Sequence, residues 1–188
     1  MNRRGQVLLI VAFLIPIMLL FLAVAVDAGR IFLERDRMQR SAGAAANAGI
    51  SVVADRMVAL AADRRAHAAA TPVPVGNMPV TSTPRPDDVV IWLENEDRAV
   101  LVSPAMQAEV ERAAREYLER NGFRSEADVN LQVQIEYPQP GYDPQAVQVK
   151  VLSIRVHIER RIEVLLADLL NEDWVVLRVD ARSQIPQR

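Results

Sequence analysis

Side chains able to do chemistry are few in this chain of 188 residues. It contains no cysteine, which excludes disulfides, thiolate nucleophiles, thiol redox chemistry and zinc clusters of the Cys type. Its histidines, His67 and His157, lie far apart, and a lone histidine on a strand reads as a surface or core residue. Glu94, Glu96 and Asp97 are acids spaced closely enough for a calcium ion, but in a turn between strands such acids are ordinarily solvated. Trp92 and Trp174 fall on predicted strands and read as core residues rather than carbohydrate platforms. No Gly-rich phosphate loop, HExxH or GxSxG motif occurs. The net charge of −2 leaves no basic footprint for nucleic acid. The expectation is a chain that is not an enzyme, holds no metal or cofactor and does not bind nucleic acid.

Function must then lie in how the elements are arranged, and the N-terminus is the most informative part. From Val7 to Val26 the chain carries no charge. As a helix this run is roughly 30 Å long, enough to cross the hydrocarbon core of a bilayer. Pro16 sits in its middle, where a kink is tolerated in lipid if neighbours satisfy the freed carbonyl. Arg3 and Arg4 precede the run, so the N-terminus is expected inside and the remainder outside. The alternative is a signal peptide cut after Ala25, because Ala23-Val24-Ala25 has the small-residue form that a signal peptidase reads. The length of the run, and helical sequence continuing past it, favour an anchor.

Residues 28–70 lack proline and continue the helix. Ile31, Met38, Ala42, Ala45, Gly49, Val53, Met57 and Leu60 recur at helical steps. Between two charged ends, residues 41–54 carry no charge and consist mainly of small side chains, which let another backbone approach closely. Ala42, Ala45, Gly49 and Val53 are the predicted packing positions. Asp36, Arg37 and Arg40 read as the solvated shoulder of a membrane helix.

Residues 71–86 hold Pro72, Pro74, Pro79, Pro84 and Pro86 and read as an extended linker. Beyond it the pattern predicts a hairpin, Val89–Leu93 and Ala99–Val102, around an acidic turn. A helix capped by Ser103-Pro104 and stopped at Gly122 follows. Val129 to Tyr137 alternates cleanly as a strand. Val147 to Ile158 reads as a strand whose phase changes near Val151-Leu152, as a bulge would require. A second helix is expected over Arg161–Leu170 and a last strand over Trp174–Ala181. The fold class is therefore α+β, a long N-terminal transmembrane and stalk helix followed by a small, mainly antiparallel sheet with two packed helices. The expected parts are 1–70 (anchor and stalk), 71–86 (linker) and 87–188 (extracytoplasmic domain).

Several pieces of the N-terminal region occur in a recognisable order: Arg4-Gly5, an apolar run broken by Pro16, Val26-Asp27-Ala28-Gly29-Arg30, then Met38-Gln39 and a small-residue stretch to Gly49. In this order and spacing the region resembles the TadE/TadG-like proteins of tight-adherence (Flp-type) pilus systems, within the wider pilin-like group. Ile10 stands where pilins and TadE-type members usually carry glutamate, a difference shared with the TadG-like branch, and Gly43 stands where the family has aspartate. The resemblance implies a candidate processing point at Gly5–Gln6 and a membrane-anchored structural or assembly subunit of a pilus or secretion machine. Its partners would be the lipid bilayer, other pilin-like or Tad assembly subunits met through the N-terminal helix, and copies of itself. The location implied is the inner membrane, with a single span. The competing expectation is an extracytoplasmic binding domain, secreted or membrane-tethered, released after Ala25.

Overall fold

The computed structural model describes residues 3–70, 93, 95–139, 152–165 and 174–185. Helix α1 (Arg3–Ala70) runs through 68 residues with Pro16 inside it, about 100 Å of helix at 1.5 Å per residue. Its length follows from composition: beyond Pro16 nothing in it breaks a helix, and alanine, the best helix former, dominates its middle. Helix α2 (Asn95–Leu101) and helix α3 (Pro104–Arg120) follow. Strands β1 (Leu131–Glu136), β2 (Ser153–Glu163) and β3 (Trp174–Gln184) form one antiparallel sheet in the order β1-β2-β3.

One face of that sheet is covered by α1 and α3, and the core lies between. The alternation of β2 puts Ile154, Val156 and Ile158 fully inside, and β3 adds Leu177, Val179 and Ala181. Register pairs Val156 with Ala181 and Ile158 with Val179, so the buried sets of the two strands lie side by side. From α3 come Met106, Val110, Ala114 and Leu118 at steps of four. Ser103 Oγ accepts the Met106 N–H at 3.3 Å as N-cap, with proline at the first position of the helix. Gly122 ends the helix at φ +86°, a left-handed conformation that favours glycine. Phe123, just beyond, is among the largest fully buried side chains, and Tyr137 donates its hydroxyl to the Leu101 carbonyl at 2.8 Å inside the core.

The α+β class and the long apolar helix agree with the sequence reading, as do α3, β1, the inward phase of β2 from Leu152 onward, and β3. The expected linker, Val89 to Trp92 and Val147 to Val151 lie outside the described residues. Two expectations are corrected. The hairpin around residues 94–98 is absent, because Asn95–Leu101 is helical. Acids in its first turn suit a helix N-terminus, and Leu93 and Leu101 are buried in the core. The helix expected from Arg161 is also replaced in its described part, because β2 continues to Glu163. Pairing of Arg161, Ile162 and Glu163 with Val176, Val175 and Trp174 outweighs local helical periodicity there.

Residues 38–61 of α1, expected to belong to a stalk, supply Met38, Ala42, Ala45, Ala46, Ile50, Val53 and Ala61 to the same hydrophobic cluster as the sheet.

Candidate functional site

The candidate site is α1 itself, whose two parts have opposite surroundings. From Ile10 to Val26 the large side chains are exposed, Phe13 by 67% and Phe21 by 70%. Among the described residues nothing covers this uncharged stretch, and α1 is the one described helix long and apolar enough to cross a membrane. Pro16 and Val26 are exposed within it. Gly5, Gln6 and Val7 lie in the first helical turns.

At Asp27 the surroundings change. Asp27 is buried, and its carboxylate accepts the Leu165 N–H at 3.0 Å, tying the end of β2 to the first turn beyond the apolar run. Sequence reading took Asp27 only as part of a motif; its position between an apolar run and a helical core face was the available signal. Next along the helix, Glu34 and Asp128 both pair with Arg160, the latter at 3.1 Å. Arg37 is exposed, as expected of a solvated shoulder, but it also engages the fold. Its guanidinium lies 5.4 Å from the centre of the Phe123 ring and donates to the Asn121 carbonyl at 3.0 Å. Asp36 and Arg40 do form an exposed pair on the helix surface.

Structure brings Ala42, Ala45, Gly49 and Val53 together on one buried face of α1. The surface they meet belongs to the chain itself. A Cβ built on Gly49 would fall 2.5 Å from Ile154 Cδ1 and 3.3 Å from Val110 Cγ1, so the helix seats against both β2 and α3. The expectation that this small-residue face receives a partner helix is corrected: the fold has already filled it. Beyond it, Asn47 accepts the Ser183 hydroxyl at 2.7 Å, and Arg64 donates to Asp97 at 3.1 Å while lying 3.6 Å from Glu96. Of the candidate calcium group, Asp97 is thus bonded to a guanidinium, while Glu96 stays exposed beside it.

The outer face of the sheet carries paired charges. Asp180 accepts from Arg155 at 2.9 Å and lies 3.1 Å from His157 Nδ1. The Arg155 hydrogen bond, helped by His157, holds the Asp180 carboxyl below its ordinary range. Arg178 does the same for Glu159. Both carboxyls are lowered on folding, so their contribution is complete above the ordinary carboxylate range and fades as pH falls through it. Trp174, expected in the core, is 44% exposed at the start of β3; its outward parity, not its size, decides this.

The Arg160 cluster is testable by itself. Its three side chains are 20–30% exposed, so Arg160→Met should leave two carboxylates together and lower stability by about 1–2 kcal/mol, less than for a fully buried pair. Urea unfolding of the purified protein reads this. An unchanged midpoint would show that the cluster is a surface pairing without structural weight.

The family model for Tad, Flp pilus-assembly TadE/G-like proteins, matches residues 5–70. That span is α1 from Gly5 to its end, both the exposed run and its packed continuation; α2, α3 and the sheet lie beyond it. No curated protein and no solved structure matches the chain.

Proposed function

We propose that this chain, TadE/G-like over residues 5–70, is a membrane-anchored, pilin-like structural or assembly subunit of a tight-adherence pilus or secretion system. The family match supports a pilus-assembly role. The observation that carries the finer reading is the division of α1 into an uncharged, exposed run and a middle buried in the chain's own core. A single continuous helix thereby couples the membrane to the domain, with Asp27 at the junction. The N-terminus faces the cytoplasm, the sheet domain lies outside, and the role is non-enzymatic. Since Ala42, Ala45, Gly49 and Val53 are occupied internally, contacts with other pilus components, or with further copies, run through residues 7–26 and the solvent side of α1.

A cysteine-free sequence makes the test direct. Ile17→Cys, in membranes containing the neighbouring pilus components, should cross-link to them, and protease added to intact spheroplasts should digest the chain beyond Thr71. Complete protection of that region would sink the orientation. A soluble product beginning at Val26, with no cross-link, would sink the subunit reading in favour of a domain released after Ala25.

A further inference from the structure

Pro16 leaves one backbone group of the apolar run without its helical partner. Proline has no N–H, so the Ala12 carbonyl loses the donor that residue 16 supplies in an ordinary helix. With residues 7–26 crossing the bilayer, that oxygen lies roughly 10 Å inside the inner boundary of the hydrocarbon core. An unpaired carbonyl is strongly unfavourable at that depth, because lipid tails offer no hydrogen bond.

A membrane helix accommodates proline through local 3₁₀ or π turns, a Ser or Thr side chain, an ordered water, or a neighbouring helix. The first three fail here. Helix α1 stays α-helical from Arg3 to Ala70, with no 3₁₀ or π turn around Pro16. Val7 to Val26 contains no serine or threonine, and no side-chain donor of any other type. A buried water needs at least two polar partners, and the run offers this carbonyl among apolar side chains. The domain begins at Asp27, roughly 20 Å further along the axis, on the far side of the bilayer's middle. The donor therefore comes from another chain, and the surface admits one. Ala12, Pro16 and Leu19 are exposed and share a face at helical steps of three and four. The small Ala12 side chain lets a neighbour approach closely. A second copy at the same depth brings no donor, since its run has none either.

We infer that the Ala12–Pro16 face docks a membrane-spanning helix of a different protein, which donates a side-chain hydroxyl, amide N–H or indole N–H to the Ala12 carbonyl. One hydrogen bond at fixed depth also sets how far the subunit sits in the membrane relative to that partner. This inference rests on the anchored reading above and specifies the chemistry of one partner within it.

The test uses the full-length chain in membranes containing the neighbouring pilus components, with Leu19→Cys carrying a benzophenone photo-cross-linker. Two substitutions at Ile15 differ by one hydroxyl. Threonine there bonds back to a carbonyl three or four residues earlier, Ala12 or Val11, and so supplies a donor while Pro16 is kept. Valine has the same shape without the hydroxyl. The fraction cross-linked to a different protein should fall about three- to tenfold in Ile15→Thr and stay unchanged in Ile15→Val. Pro16→Ala, which restores the N–H, should match the threonine variant. Mass spectrometry should place the cross-link in a spanning helix of the partner, within one turn of a donor side chain. Equal yields in all variants, or equal losses in Ile15→Thr and Ile15→Val, overturn the donor. Cross-links solely to further copies of this chain overturn the heterologous partner. No cross-link in the parent, with the chain still resistant to carbonate extraction, overturns docking and leaves the anchor standing. Release of the chain by carbonate overturns the anchor and docking together.

Discussion

Gly49→Leu is expected to destabilise the folded domain by about 3 kcal/mol, at the upper end of ordinary overpacking. The first added atom already meets Ile154 Cδ1 at 2.5 Å and Val110 Cγ1 at 3.3 Å, with the Val110 carbonyl at 3.4 Å. Ile154 can swing its tip, so Gly49→Ala should be mild, helped by a helix propensity gain of about 1 kcal/mol. Leucine adds three further carbons where β2 and α3 leave no room, and its own propensity gain does not offset them. The check is chemical unfolding of the detergent-solubilised protein, with Gly49→Ala and Gly49→Ala/Ile154→Val as companions. Relief of the alanine variant by Ile154→Val would show direct coupling of the two sites. A leucine variant with unchanged stability, but with lost cross-links to partners, would mean that the face meets another chain instead of its own sheet. The measurement thus separates an internal seam from an assembly seam.

Phe123→Ala should cost about 3–5 kcal/mol, the largest single loss expected in the domain. The ring is 2% exposed and closes the core where α3 ends, under the Arg37 guanidinium. Removing it deletes apolar contact and leaves Arg37 without its aromatic partner, whereas Phe123→Leu keeps most of the volume and should cost under about 1.5 kcal/mol. Arg37→Gln alone should cost about 0.5–1 kcal/mol through the lost cation–π contact. Thermal unfolding with both variants ranks these effects. Near-equal losses for Phe123→Ala and Phe123→Leu would show that the ring's position, not its volume, is what the core requires.

Elements whose evidence is local were legible in the sequence. The uncharged run stands out because crossing a bilayer demands about twenty consecutive apolar residues. Helix α3 carries its cap, its four-residue apolar steps and its terminal glycine within one segment. In β1 and β3, alternate residues separate inward from outward because each strand buries one face. Even Ala42, Ala45, Gly49 and Val53 could be selected as a packing face, since small uncharged residues on one side of a helix need a close neighbour.

What that neighbour is, only the tertiary structure decides. Nothing local to Gly49 specifies whether Ile154 and Val110 or a second chain fills the space in front of it; residues far away in the sequence settle it. The same holds for Asn95–Leu101, where an acidic turn and a strand-like Ala99-Val100-Leu101 run form a helix, with Arg64 as countercharge and Leu101 in the core. At Arg161 a segment with helical spacing stayed extended because β3 offered it backbone partners. Asp27 and Trp174 depart from their motif-level and expected readings for the same reason. Side-chain periodicity encodes which face of an element is apolar, whereas the occupant of that face is fixed by chain-distant contacts whose energies appear only after the chain has folded.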